Sequence, residues 1–389
     1  MMSPGCRGKP ATNKHRMNPE LSSFAARLRE SIISGFQNES FDALALELFD
    51  LQFKNNSAYR KICEARKLTP QRVEHWTQIP AVPTAAFKEL ELTSLEAKDR
   101  PTVFYSSGTT EQKPSRHFHS AESLAVYEAS LWSWFEQNIL NNCELPVANC
   151  ELVILTPPPE HAPHSSLVHM FEIVRQKKGG ASALESRAEF LGKLAADGSW
   201  TLDFHATLAA LSDNSKSKTQ NPKLILGTAF SFVHLLDFLA ENNLQFQLPE
   251  NSRVMETGGY KNRSRSLPKT ELHALISEHL GVPRQNIICE YGMSELSSQA
   301  YDQEVRSQKS EVRSFHFPPW ARAQIISPET NREVVEGETG LIRIFDLANV
   351  FSVAAIQTED IGIRRDDGFE LIGRAQMAEA RGCSLMTAL

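Results

Sequence analysis

The sequence predicts an α/β layered fold, because short bounded apolar runs of strand length alternate with longer patterns of helical period. Apolar runs at 103–105, 152–155, 223–226, 286–289 and 341–345 each have the length of a buried strand. Helical patterns at 121–138, 166–175, 230–242 and 267–280 stand between them. After about Pro318 the pattern turns to strands and turns punctuated by Gly337, Gly340, Gly362 and Gly368, which predicts a β-rich C-terminal subdomain. With 389 residues, 41% of them hydrophobic, the chain is long enough to bury a large core.

In chain order, residues 1–18 are rich in Pro, Gly, Asn and basic side chains without an apolar period, and are expected to be a disordered leader. Leu21, Phe24, Leu28 and Ile32, then Phe41, Leu44, Leu48 and Leu51, recur at spacings of three and four and predict two amphipathic helices. An α/β core is expected over 19–317 and the β-rich subdomain over 318–389. The polar stretch 213–221 reads as a surface loop. Pro157–Pro159, with His161, His164 and His169 nearby, also reads as a loop, because the prolines break the helix that would align these histidines on a metal.

A formal charge of -6 and a pI near 6.1 give no general pull toward nucleic acid or anionic membrane, so an anionic ligand needs a local site. No run approaches the ~20 apolar residues of a membrane span, and the cytoplasm is the expected location. The six cysteines have no CxxC spacing and are expected to be free thiols.

The strongest local signal is Tyr105-Ser106-Ser107-Gly108-Thr109-Thr110, after the apolar Val103-Phe104. A hydroxyl-rich, Gly-containing turn at a strand end aims backbone N–H groups and hydroxyls at phosphate oxygens, which suits a nucleoside triphosphate. Neither GxxxxGK[ST] nor GxGxxG is present, and a plain Ser/Thr-rich turn is the competing reading. Thr257-Gly258-Gly259-Tyr260-Lys261 adds an open backbone, an aromatic face and a cation, and Glu290-Tyr291-Gly292-Met293-Ser294-Glu295 follows the apolar run at 286–289. Together these segments suit an adenine pocket.

At this point the sequence resembles the adenylate-forming superfamily of acyl-CoA synthetases and related ligases. Their ordered hallmarks are an SSGTTG-like loop, a GG turn and a YGxTE-like motif. Thr358-Glu359-Asp360 is similar to the superfamily's acidic ribose motif, and Gly368-Phe369-Glu370-Leu371-Ile372-Gly373-Arg374 to its Arg-bearing segment. The resemblance implies that Ser106, Ser107, Gly108, Thr109 and Thr110 hold the β- and γ-phosphates of ATP. It implies that Gly258, Gly259, Tyr291 and Gly292 flank adenine, and that Glu295 coordinates Mg2+. Asp360 would accept hydrogen bonds from the ribose hydroxyls, with Arg374 near the ribose and α-phosphate. Simpler readings make Glu295 a helix-start acid, Asp360 part of a turn before Gly362, and Arg374 a surface pair. Attack of a carboxylate on an α-phosphate brings anion to anion, which is why the chemistry needs a metal, a cation and a fixed in-line geometry.

Relatives with CoA as acceptor carry a mobile C-terminal domain with a catalytic lysine, whereas here fifteen residues follow Arg374. That implies no full mobile C-terminal domain and resembles the LuxE-type acyl-protein synthetases, with Lys261 a candidate for the missing cation. The segments Pro80-Ala81-Val82-Pro83-Thr84-Ala85-Ala86-Phe87-Lys88 and Ser165-Ser166-Leu167-Val168-His169-Met170 are also LuxE-like. So is Ala380-Arg381-Gly382-Cys383-Ser384, where the resemblance makes Cys383 the acylated nucleophile, with Arg381 favouring its thiolate. A small buried apolar role is the alternative for Cys383, and Cys289 reads as a core residue. Glu111, where glycine is expected after the hydroxyl loop, and Glu359 depart from the pattern; Lys113 or Arg116 would offset the first.

The implied function is ATP- and Mg2+-dependent activation of a carboxylic acid, by family a fatty acid, to an acyl-adenylate. Transfer to Cys383 and then to an acceptor would follow, the acceptor being a reductase, a carrier protein or CoA. The alternatives are an acyl- or aryl-CoA ligase of the phenylacetate-CoA ligase type and a nucleotide-binding protein without catalysis.

Overall fold

In the computed structural model, residues 18–37, 39–106, 113–140, 150–179, 189–195, 199–212, 221–258, 267–307 and 310–374 are described. Side-chain caps set where the first helices begin. Asn18 accepts from the backbone N–H of Glu20 and Leu21, and Pro19 opens α1 (Pro19–Ile33). Ser40 caps α2 (Phe41–Asn55), and Asn56 caps a third helix, α3 (Ser57–Ala65), that the sequence pattern does not separate from its neighbour. The short β1 (Val82–Pro83) and α4 (Ala86–Glu89) precede a hairpin of β2 (Thr102–Tyr105) and β3 (Arg116–His119). Ser120 and Ser123 cap each other's backbone to start α5 (Ala121–Phe135).

The chain continues through β4 (Glu151–Ile154), α6 (Ser166–Gly179), β5 (Glu189–Phe190), β6 (Gly192–Leu194), β7 (Trp200–Leu202) and α7 (Phe204–Leu211). Then follow β8 (Lys223–Thr228), α8 (Ala229–Glu241), β9 (Arg253–Thr257), α9 (Lys269–Leu280) and β10 (Ile287–Tyr291). The last part is β11 (Ala300–Ser307), β12 (Ser310–His316), β13 (Ala321–Ile326), β14 (Thr339–Asp346), β15 (Ala355–Arg365) and β16 (Gly368–Arg374).

One sheet runs in the order β13-β14-β15-β16-β12-β11-β10-β9-β8-β4-β5, with β1 beside β15. From β5 to β10 it is parallel, as the alternating strands and helices require, and from β10 to β13 the successive pairings are antiparallel, with β1 joining β15 in parallel at the side. Alternate residues divide its faces. Leu226, Met255 and Ile288 join the larger core, which includes residues of α1, α2, α5 and α6; Ile225, Val254 and Ile287 join a second core with α8 and α9. The α/β layering and the β-rich C-terminal part match the sequence expectation. The strands after Pro318 continue the central sheet through the β12–β16 pairing instead of forming a sheet of their own.

Candidate active site

The parallel strands end along one edge, the usual place for a ligand in such sheets. β9 ends at Thr257, and Gly258 leaves it with φ +73, a left-handed turn in which a side chain would be strained. Its neighbour β10 ends at Tyr291, with Glu290 paired to Thr257, so the Gly258 turn and the Tyr291-Gly292 turn lie side by side.

Tyr291 is wedged edge-on into an aromatic cluster, with ring centroids 5.3 Å from Phe369 and 6.0 Å from Phe315. Its phenol donates to Asp360 Oδ2 at 2.8 Å. Burial, and then Asp360 beside it, hold that phenol well above the ordinary tyrosine range, so it is a neutral donor. Asp360 and Arg374 are cross-strand partners on β15 and β16, and Arg374 Nε donates to Asp360 Oδ1 at 3.2 Å. The Arg374 side chain is 79% exposed, so this pair adds little stability but orients both groups at the rim.

The hydroxyl segment is carried by the β2–β3 hairpin. Sequence reasoning expects it between a strand and the helix at Ala121; β3 intervenes, because Arg116 and His117 hide the strand's alternation. Ser106 Oγ accepts from the Ser115 N–H at 2.9 Å, and Ser106 N donates to the Ser115 carbonyl at 3.2 Å, pinning the two ends of the segment together. Ser115 Oγ lies 3.5 Å from Ser294 Oγ, which donates to Glu295 Oε2 at 2.9 Å, and His117 Nδ1 donates to the Ser294 carbonyl at 2.9 Å. Ser106, Gly258, Tyr291, Gly292, Glu295, Asp360 and Arg374 are thereby brought to one region. Ser107, Gly108, Thr109, Thr110, Glu111, Gly259, Lys261 and Cys383 lie outside the described residues. Among the described partners, Lys113 and Arg116 pair with Glu89 and Glu91.

Several residues that hold the site escaped the sequence reading. Asp346 accepts from the backbone N–H of Ser297, Ser298 and Ala348 and from Ser298 Oγ at 2.7–3.0 Å, and Asn349 Nδ2 donates to the Glu295 carbonyl at 2.9 Å. The segment at 80–84 buttresses the strand bearing Asp360: Val82 pairs with Ile356, Thr84 N donates to Gln357 O at 3.1 Å, and Tyr59 Oη donates to Pro80 O at 2.9 Å. Of the histidines after the proline run, His164 Nδ1 donates to Val103 O and His169 Nε2 meets Glu128, at 3.0 and 3.2 Å. Cys289 is buried, and burial raises its thiol well above the ordinary range, as a core cysteine requires.

Glu290 lies under Gly292: a Cβ added at Gly292 would meet Glu290 Oε1 at 2.2 Å. Burial chiefly, and Glu256 to a lesser degree, push Glu290 up to about 7 against a hydrogen bond from Thr257. A carboxyl raised from 4.5 to about 7 binds its proton more tightly in the folded state. Its contribution is therefore complete below about 4.5 and lost as pH rises through about 7. The pH-dependent cost is on the order of 3 kcal/mol. Glu290→Gln is expected to escape that loss. Urea unfolding at about pH 5 and pH 8 should show the variant gaining on wild type at the higher pH; parallel pH dependences would contradict it. Taking the difference between the two proteins removes the opposite contribution of His117, which burial lowers to about 4.

The fold is that of the adenylate-forming ligases. The chain superposes on 2-hydroxyisobutyryl-CoA ligase, solved in the postadenylation state in complex with 2-HIB-AMP, with a TM-score of 0.59 and 14% identity over 90% of this chain and 68% of that one. An open conformation of the same ligase with 2-HIB-AMP and CoA gives a TM-score of 0.58 over 90% and 70%. Within that class the chain belongs to the LuxE family of acyl-protein synthetases, whose family model matches residues 184–388. It is 26% identical to the long-chain-fatty-acid–luciferin-component ligase of Aliivibrio fischeri over 90% of this chain and 89% of that protein. It is 24% identical to the corresponding ligase of Vibrio harveyi over 90% and 87%. No helix among the described residues is long and apolar enough to cross a membrane.

Proposed function

We propose that this protein joins a carboxylic acid to AMP at the expense of ATP and then passes the acyl group to the Cys383 thiol. The observation that carries the reading is the contact of Tyr291 with Asp360 at 2.8 Å, which joins the Tyr-Gly turn to the late acid in one cradle. A carboxylate has about four lone-pair positions. Tyr291 and Arg374 take one on each oxygen, which leaves acceptors for the two ribose hydroxyls. Gly258 and Gly292 supply backbone without side chains for the base, and Ser106 starts the phosphate segment with Ser107 to Thr110.

Glu295 fits a magnesium ion. Its Oε2 is oriented by Ser294, and magnesium bound through one carboxylate plus substrate phosphates needs no cluster of protein ligands. When bound, the ion would neutralise the phosphates. The acid's oxygen forms a bond to the α-phosphorus, the α–β phosphoanhydride breaks, and pyrophosphate leaves. Arg374 and Lys261 offset the charge of this step. The Cys383 sulfur then bonds to the acyl carbon, AMP leaves with the bonding electrons, and the thiol proton passes to solvent. The acid is of the fatty class on which the two relatives are named to act, and the acceptor after Cys383 is a reductase, a carrier protein or CoA. The organisation into a core at 19–317 and a C-terminal part at 318–389, and residence in the cytoplasm, belong to the same reading.

Incubation with ATP, Mg2+ and mixed fatty acids, followed by mass spectrometry of the C-terminal peptide, tests the transfer. The wild type is expected to carry an acyl adduct on Cys383. Cys383→Ser is expected to carry none while acid-dependent exchange of pyrophosphate into ATP persists. Unchanged CoA thioester formation by Cys383→Ser, with no adduct on the wild type, would favour the CoA ligase; no exchange with any acid would favour a non-catalytic nucleotide binder.

A further inference from the structure

Beneath the Tyr291–Glu295 turn lies a layer of buried polar atoms without partners among the described residues. Tyr301 stands directly opposite Glu290 in the β10–β11 pairing, so both side chains leave the sheet on one face. Gln299 flanks them: a Cβ at Gly292 would lie 3.5 Å from Gln299 Cγ as well as against Glu290. Facing this row, α5 contributes Tyr127 and β3 contributes His119, their rings 5.9 Å apart, and the phenols of Tyr127 and Tyr301 are near enough to interact electrostatically. His119 in turn stacks near His117, with ring centroids 4.3 Å apart, and His117 holds the Ser294 carbonyl. His117 thus links this layer to the Ser294 carbonyl, next to Glu295.

Within it, His119 Nε2, Gln299 Oε1 and Tyr301 Oη are buried and have no hydrogen-bond partner among the described residues; Tyr301 and His119 are almost wholly enclosed and Gln299 is 6% exposed. Isolated orphan atoms of this kind are uncommon, and three in one layer call for a polar occupant. Its chemistry follows from theirs. Burial keeps His119 neutral and the Tyr301 phenol protonated, and Glu290 in the same row shows how poorly this layer solvates charge. The occupant is thus uncharged and able both to donate, to the amide oxygen, and to accept, from the phenol. A saturated hydrocarbon chain would leave all three atoms unmet.

We propose that the acid activated by this chain bears a hydroxyl on its α or β carbon, recognised by Gln299, Tyr301 and His119, so that its substrate class is a hydroxylated fatty acid. The inference rests on the acid-activating reading above and narrows it. The test uses the full chain and the matched pairs palmitic and α-hydroxypalmitic, and palmitic and β-hydroxypalmitic acid. Acid-dependent pyrophosphate exchange and, separately, calorimetric binding of each acid without ATP are measured for wild type, Tyr301→Phe and Gln299→Leu.

At least one hydroxy acid is expected to be preferred by about tenfold or more, and both variants to reduce that ratio severalfold. Equal handling of hydroxylated and plain acids by the wild type would mean that buried water satisfies the layer, and the inference falls. A preference untouched in both variants overturns it too. Preferential binding without exchange supports the hydroxyl site and sinks acid activation, whereas absence of both binding and exchange sinks the two together.

Discussion

Asp360→Ala is expected to lower kcat/KM for acid-dependent pyrophosphate exchange by about a hundredfold to ten-thousandfold, with the protein still folded. The range follows from the site. Two ribose hydroxyls would each lose a hydrogen bond to a charged acceptor, at about 1.5–3 kcal/mol apiece. Tyr291 Oη would also lose its Asp360 acceptor, and Arg374 the partner that orients it at the rim. Because the Arg374 side chain is 79% exposed, breaking that pair costs little stability, and the unfolding midpoint should move far less than the rate. Tyr291→Phe separates the parts: it keeps the ring among Phe315, Phe317 and Phe369 and deletes one hydrogen bond, so about a tenfold loss is expected. A ribose-binding Asp360 further requires the loss in Asp360→Ala to lie largely in the KM for ATP. If that variant exchanges pyrophosphate at the wild-type rate and with the wild-type KM for ATP, the cradle is misassigned.

The strands and helices around this cradle were legible because each obeys a period over its own length. The run at 223–226 became β8, and the pattern at 230–242 became α8, whose cap Thr228 is the last residue of the strand. What stayed hidden is non-local or polar. β3 reads Arg-His-Phe-His and β11 reads Ala-Tyr-Asp-Gln-Glu-Val-Arg-Ser, neither of which advertises a strand, although both pair with neighbours over their whole length. The site motifs could be ordered along the chain from sequence, but the Tyr291–Asp360 contact joins residues 69 apart, and no local pattern encodes such a closure. Gly292 shows the same limit. Its sequence suggested room for a base, whereas the structure adds that the room is taken on one side by the Glu290 carboxyl.

Asp346 is the extreme case, since nothing in Ile344-Phe345-Asp346-Leu347 marks it as more than a strand end. Its side chain is fully enclosed, and burial pushes it up to about 6 against the pull of its donors, so at neutral pH it is the ionised acceptor of four hydrogen bonds. Three come from backbone N–H groups, two of them at Ser297 and Ser298, just past Leu296 on the Glu295 turn. Asp346→Ala would leave these three donors buried and unpaired at about 1–3 kcal/mol each, so a loss of roughly 3–9 kcal/mol is expected. That is a large share of the ~5–15 kcal/mol that holds a typical domain together.

Asp346→Asn is the milder variant: it keeps the shape but turns an amide NH2 toward one or more donors, and it should fold well enough to assay. Because Asp346 acts on the Glu295 turn and not on substrate, its replacement should raise the Mg2+ concentration needed for half-maximal exchange severalfold and spare the KM for the acid. A merely structural role would lower the folded fraction and leave the Mg2+ dependence of the remaining enzyme unchanged. Urea unfolding together with Mg2+ titration of the exchange rate therefore decides whether this buried carboxylate positions Glu295 or only closes the core.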